Sequence, residues 1–402
     1  MVRTGMRPRP GSPLANTEFR TLWFAEAQSL VGDQLTTVAL AIMVYDRTGS
    51  ALISALVFSL SFLPAIAGAL GLAQLADRYP RRTVLSAAMA VQGLFVGLMA
   101  IPGTPLPVLC ALVVVARLAG GPAIAAQNAL TREVFTDDDL YLRSQDIRGI
   151  TTNTATLAGL AGGGVLVVWM GPSLSLAIDA ATFFVSAVVT RCLLKPRPAA
   201  GDGGGTWFGA IRWVFAERRL RVLIWLSWLV GIAVIPEGLV APLAAEIGAG
   251  DKAVGWMLAA DPLGFIIGAF VLSRWVTAEN RRRVIGVLAV APLATLALFV
   301  FRPSLPLVLL LLALAGATGA YLITVSATFL TWVPNELRGG AGGVYRTGLR
   351  VAQGIGAGLG GALAQLVGSP TTAIAIASAA GVVLAVPVAI SWARVVAANR
   401  AR

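Results

Sequence analysis

The sequence predicts an all-α membrane protein with twelve transmembrane helices in two six-helix bundles, and three observations carry that prediction. Of 402 residues, 57% are hydrophobic and only 12% charged, whereas about a quarter of a soluble domain is charged; mean hydropathy is +0.80. Turn and charge signals cut the chain into twelve apolar segments, near 20–45, 51–75, 83–102, 106–128, 148–170, 173–194, 221–245, 253–275, 284–301, 305–330, 343–367 and 371–393. Most approach or exceed the roughly 20 residues that cross a hydrocarbon core. Finally, the 31 basic residues gather in alternate connections: counted from an inside-first topology, 27 lie on the cytoplasmic side, three outside (Arg47, Lys252, Arg302) and Arg117 within a span. That asymmetry predicts a multi-pass protein of the cell (inner) membrane with both termini cytoplasmic.

Residues 1–19, rich in Arg and Pro, lack the apolar core of a signal peptide and read as a cytoplasmic tail. The first bundle then covers 20–194. Its opening segment carries Asp33 near its middle and Glu26 seven positions earlier, on the same helix face. A carboxylate at mid-bilayer costs at least about 2.5 kcal/mol, so it marks an ion or substrate path by default. Asp33 is therefore the candidate proton site, with Glu26 either a second proton or cation site or a solvated acid near the cytoplasmic mouth. A further acid, Asp179, is expected a turn or two from the external surface in a structural role.

Residues 195–220 form a cytoplasmic linker that opens on KPRPAAGDGGG, a flexible composition. Its later part sets Trp207, Ile211, Val214 and Phe215 against Arg212, Arg218 and Arg219, the pattern of an amphipathic helix at the membrane surface. The second bundle covers 221–393 and the tail 394–402. A weak repeat at a spacing of about 200 relates Arg81-Arg82-Thr83-Val84 to Arg281-Arg282-Arg283-Val284, as expected of two homologous halves. In this bundle Glu237 follows Pro236 and Asp261 precedes Pro262. Proline frees backbone groups and opens a helix, which suits a gate or binding site. Trp23, Phe24, Trp225, Trp228 and Tyr321 are the aromatic residues that could stack on a bulky apolar compound, although Trp and Tyr also settle at membrane surfaces for their own reasons.

Composition also excludes classes of function. The chain has no histidine, two cysteines, both in apolar segments (Cys110 and Cys192), and no phosphate-binding GxxxxGK[ST] loop. Metal chemistry, a disulfide framework and nucleotide-driven work are thus not expected; nor is an enzyme, a cofactor or a nucleic-acid partner. Any driving force would come from a proton gradient, and the chain is expected to act as a monomer.

At Ala73–Leu85, AQLADRYPRRTVL, the chain resembles the signature loop between the second and third helices of the major facilitator superfamily, with Ala73 and Pro80 where that family usually has glycine. Arg117-Leu118-Ala119-Gly120-Gly121 looks like its RxxxG element, and GLAGGG at 159–164 is a partial form of its antiporter glycine motif, without the usual proline. SLVGDQLTTVALAIMVYDRTGSAL at 29–52, with VPNELRGGAGGVYRTG before the eleventh segment, is similar to the macrolide-efflux-like drug:proton antiporters of that superfamily.

The resemblance implies export of a hydrophobic or amphipathic small molecule in exchange for protons, by alternating access. It places the first and fourth helices on a central cavity, where Asp33 and Arg117, at similar depth, would meet. Either Arg117 holds Asp33 ionised until a proton releases it, or the two form a permanent packing pair. The loop also suggests a conformational latch of Asp77, Arg78, Arg81 and Arg82, in which Asp77 meets a helix N-terminus across the two bundles and pairs with Arg81, stabilising the state closed on the inside. Glu237, Asp261, Trp228 and Tyr321 are the substrate-cavity candidates. Uptake, uniport or lipid flipping by the same fold, and a non-transporting sensor, are the alternative readings.

Overall fold

The computed structural model describes residues 12–62, 75–197, 207–334 and 337–400; the remaining tails, residues 63–74 and the glycine-rich part of the linker lie outside it, as do the side chains of Asp77 and Trp207. Every long element is a helix whose ends follow local chemistry. Helix α1 (Thr17–Thr48) starts where Asn16 accepts bonds from the amides of Glu18 and Phe19 at 2.9 and 3.2 Å, and stops at Gly49, left-handed at φ 58°. Ser50 caps α2 (Ala51–Ser59). Then come α3 (Leu75–Arg78), α4 (Arg81–Met99), α5 (Leu106–Val134), α6 (Asp138–Met170), capped by Asp137, and α7 (Pro172–Leu193).

The second half contains α8 (Trp207–Ala216) and α9 (Arg218–Trp228), then the short α10 (Val230–Ala233), α11 (Ile235–Gly238) and α12 (Val240–Glu246). It continues with α13 (Asp251–Trp275), α14 (Ala278–Ala297), α15 (Leu305–Gly319), α16 (Tyr321–Trp332), α17 (Arg338–Val367) and α18 (Pro370–Arg400). Among the described residues ten helical stretches are long and apolar enough to cross a bilayer. Of the two other expected spans, one begins with α2 and runs into residues 63–74. The other, α17, is 30 residues long but carries Arg346 and Arg350 among many glycines.

Packing sorts these helices into two groups. In the first, α1 lies against α6 and α7 while α4 packs on α5 and α7; in the second, α13 packs on α15, and α14 on α15 and α18. The groups meet along two seams, α2 on α17 and α6 on α13. Small residues let the backbones approach: a Cβ on Gly164 of α6 would lie 2.8 Å from the Cα of Gly255 of α13. Hydrogen bonds crossing between the halves include Ser59 Oγ to the Gly354 carbonyl at 2.7 Å and Ser50 Oγ to Gln365 Oε1 at 3.2 Å.

Burial along the α6–α13 seam is lopsided. Past residue 155, α6 buries Gly159, Leu160, Gly163, Gly164 and Val167, but between 138 and 154 only Ser144; α13 likewise buries mainly its first ten residues. The halves are therefore closed at the end remote from the chain termini, and a cleft opens at the terminus-bearing end.

Three sequence expectations change here. The seventh span is irregular, tightening at Leu229, Val234 and Leu239, yet bonds such as Ala233 N–H to the Leu229 carbonyl and Leu239 N–H to the Ile235 carbonyl carry the helix across them; Pro236 lacks the N–H for one rung of the ladder. Arg350, counted above with the cytoplasmic charges, is the thirteenth residue of α17, its guanidinium 5.5 Å from the ring centroid of Phe62. The amphipathic pattern at 207–216 does form a helix, α8, but one that buries Val214 fully and packs on α9 and α17, with Arg212 exposed.

Candidate functional site

The first-half site grows from the middle of α1. Asp33 projects toward α5, where Arg117 Nη1 lies 3.1 Å from its Oδ1, so the structure brings together the two charges that share a depth in the sequence. The side chains are 28% and 24% exposed, neither sealed off nor solvated freely. Gln92, Phe183 and Met99 close a small cavity of about 10 Å³ around the pair.

One turn along, Thr36 Oγ1 donates to Asp179 Oδ2 at 2.5 Å, and Asp179 sits over Gly32, where a Cβ would collide with it. Asp179 is fully buried and within electrostatic reach of both Asp33 and Arg117. Its carboxyl, expected near the external surface, belongs to the same polar cluster.

Glu26 is not the solvated acid that one of its two readings expected. Arg148 of α6 grips it with two bonds of 2.7 Å, through Nε and Nη2, and adds Asn128 Oδ1 at 2.9 Å and Gln145 Oε1 at 3.3 Å. A bidentate, largely buried fork of this kind holds a carboxylate in place. Glu26 thus anchors α1 on α6.

In the second half, Glu237 on α11 and Asp261 on α13 line one cavity of about 170 Å³ with Phe265, Leu293, Tyr321 and Gln353. Its wall is mostly apolar, with a few convergent polar groups, the usual make-up of a small-molecule site. Among the described residues neither acid has an ion-pair partner within 4 Å. Arg350 is within electrostatic reach of Glu237. Tyr321 lines the cavity, but its hydroxyl is already engaged, donating to the Leu226 carbonyl at 2.7 Å.

Trp228 is not part of that lining. Its ring packs edge-on against Trp225 at 5.0 Å, near Phe215 at 6.5 Å, and over Gly348. Trp23 is likewise occupied, donating to Thr151 Oγ1 at 2.7 Å, while Phe24 is exposed.

The latch is expected in the state closed at the terminus-bearing end, which is not the state seen here. Arg81 pairs with Glu133 at the end of α5, and Arg82 donates to the Leu194 carbonyl at 2.9 Å, both inside the first half. Arg197 extends this network to Glu18 at 2.8 Å and Glu133 at 3.8 Å. With the cleft open at this end, the nearest partners belong to the same half, and the network ties that half to itself. Arg78 is exposed at the end of α3, and the side chain of Asp77 lies outside the described residues.

Sequence reasoning missed Arg148, Asp179 and Arg350 as members of polar sites. A signal existed for the last two, since a charge inside an apolar segment asks for a partner; Arg148 stood at a segment edge, where a basic residue needs no further reason.

With this geometry in place, comparison with known proteins is informative. The model of the Major Facilitator Superfamily matches residues 22–236 and 222–402. Among curated proteins, the chain is 27% identical over 378 residues to the multidrug efflux pump Tap of Mycobacterium tuberculosis (strain ATCC 25618 / H37Rv), covering 88% of each. It is 25% identical over 372 residues to the enterobactin exporter EntS of Salmonella typhimurium (strain LT2), covering 90% of this chain and 88% of the relative. Among solved structures it is similar in fold to the nucleoside transporter NupG, with TM-score 0.73 at 16% identity over 94% of this chain and 99% of that one. A bacterial homolog of the human lysosomal transporter Spinster gives 0.74 at 14% over 96% and 98%. Two packed helical halves and a family match running through both lead to one conclusion: this chain is a transporter of the Major Facilitator Superfamily.

Proposed function

We propose that this transporter exports a hydrophobic or amphipathic small molecule in exchange for protons, working by alternating access in the cell (inner) membrane with both termini cytoplasmic. The Asp33–Arg117 pair carries this reading. An acid held 3.1 Å from a guanidinium, partly open to solvent and deep in an apolar bundle, is a group whose protonation would cancel one of two mutually compensating charges. Losing that attraction frees α1 from α5 and shifts the balance between the two orientations of the cleft. Likeness to an efflux pump and to an exporter over nearly the whole chain supports the outward direction. The open cavity around Glu237 and Asp261 supports a bulky, mainly apolar cargo. The basic residues at the terminus-bearing end support the orientation.

The test uses proteoliposomes with an imposed proton gradient. Wild type should accumulate substrate against its gradient and release protons when substrate is added, and Asp33→Asn should do neither while inserting normally. Gradient-driven accumulation that persists in Asp33→Asn would overturn the reading.

A further inference from the structure

Beyond Asp33, the closed seam between the halves holds a second polar site. A narrow cavity of about 20 Å³ lies where α1, α2 and α11 meet, room for one water or small ion, and its oxygen-bearing residues are Thr37, Ser54, Ser61 and Glu237. Ser54 is 6% exposed and its Oγ, facing this cavity, has no hydrogen-bond partner. An orphaned buried hydroxyl costs about 1–3 kcal/mol unless something in the cavity uses its lone pairs. Thr37 Oγ1 donates its proton to the Asp33 carbonyl at 2.9 Å, which leaves its own lone pairs available.

Glu237 also sits in the irregular part of the seventh span, beside Pro236, which has no N–H to give the Ile232 carbonyl its helical bond. Carboxylates and backbone oxygens left over in this way are what hold small cations in transporter helices. Glu237 lines this cavity with no ion-pair partner within 4 Å among the described residues, and Arg350, whose guanidinium stacks on Phe62, acts on it only from a longer distance. A carboxylate with hydroxyl oxygens is a hard donor set suited to hard cations.

We infer that Glu237, Ser54, Thr37 and Ser61 form a binding site for a monovalent alkali cation, of which sodium is the probe. Its ligands come from both halves, so a bound ion fastens the seam at the closed end and favours the conformation seen here.

Thermal unfolding of the purified full chain in detergent tests this, comparing sodium chloride with choline chloride at constant pH and ionic strength. Sodium should raise the midpoint saturably; at ten times its dissociation constant the folding equilibrium shifts about elevenfold. Glu237→Gln and Ser54→Ala should each abolish the sodium-specific shift. Ser54→Ala is the cleaner probe, because it removes a hydroxyl that bonds to nothing in the protein and should not lower stability without sodium. Asp33→Asn should keep the shift, which separates this site from the proposed proton site. An equal effect of choline, a response to pH without one to sodium, or a sodium shift that survives in Ser54→Ala would each overturn the inference.

Discussion

The two halves repeat each other and yet treat their buried acids in opposite ways. Glu237 stands 204 positions after Asp33, and Tyr321 stands 204 positions after Arg117. Both pairs thus occupy corresponding places, in the first and fourth spans of their bundles. In the first half the acid meets a guanidinium at 3.1 Å; in the second the partner is a phenol that turns away to the Leu226 carbonyl. Around Asp33 the cavity is about 10 Å³, and around Glu237 and Asp261 it is about 170 Å³. Each half gathers two buried acids and one arginine, Asp33 and Asp179 around Arg117, and Glu237 and Asp261 with Arg350 in reach of Glu237, but among the described residues only the first brings an acid and a guanidinium into direct contact. The contrast teaches a division of labour within one fold: the first half is tightly paired and suited to switching, while the second keeps more open volume and is suited to receiving something.

This contrast can be broken most forcefully through the first half's ion pairs. Arg148→Ala should have the largest effect on stability, since it strips Glu26 of both bonds and leaves Asn128 and Gln145 short of a donor. Removing one partner of a buried pair costs about 3–5 kcal/mol, and the unfolding midpoint in detergent should fall accordingly. Arg117→Ala follows at about 2 kcal/mol, reduced because its pair with Asp33 is about a quarter exposed. Adding Asp33→Asn to Arg117→Ala should recover part of that loss, because no unpaired charge then remains. If the double variant were less stable than Arg117→Ala by the full cost of a second, independent lesion, the two side chains would not be acting as a pair.

How much of this was legible beforehand depended on what hydropathy encodes. Spans, orientation and the depth shared by Asp33 and Arg117 follow from length and charge placement, because a bilayer imposes both on any helix that crosses it. Rotation of each helix about its axis does not follow, since lipid-facing and core-facing surfaces are equally apolar. Hence Trp228 was expected in a cavity and instead covers Gly348, and Glu26 was expected near water and instead meets Arg148. Asp77 was expected to act across the halves in the state closed at the terminus-bearing end, and which partner Arg81 or Arg82 finds there depends on whether the cleft is open. The irregularity of the seventh span was readable at Pro236, although its extent was not.

Smaller effects sharpen the comparison from the second half. Tyr321→Phe removes one buried hydrogen bond and should cost about 1 kcal/mol. The cavity wall stays apolar, so the change tests whether the phenol serves the fold alone. A loss of transport well beyond the change in stability would show that the hydroxyl also serves the cargo.

The matched neutralisations are the finest comparison, because the same chemical edit is made at corresponding positions. Asp33→Asn leaves Arg117 without its counter-charge and should lower the unfolding midpoint by about 1 to 2 kcal/mol equivalent. Glu237→Gln breaks no ion pair among the described residues and keeps shape and hydrogen-bonding capacity. In sodium-free buffer its stability should stay within about 0.5 kcal/mol of wild type, as for substitutions that disturb no packing or bonding. Thermal unfolding of the two variants side by side measures the difference directly. Equal losses would mean that Glu237 is as firmly paired as Asp33, and the asymmetry between the halves would then have to lie in cavity volume alone.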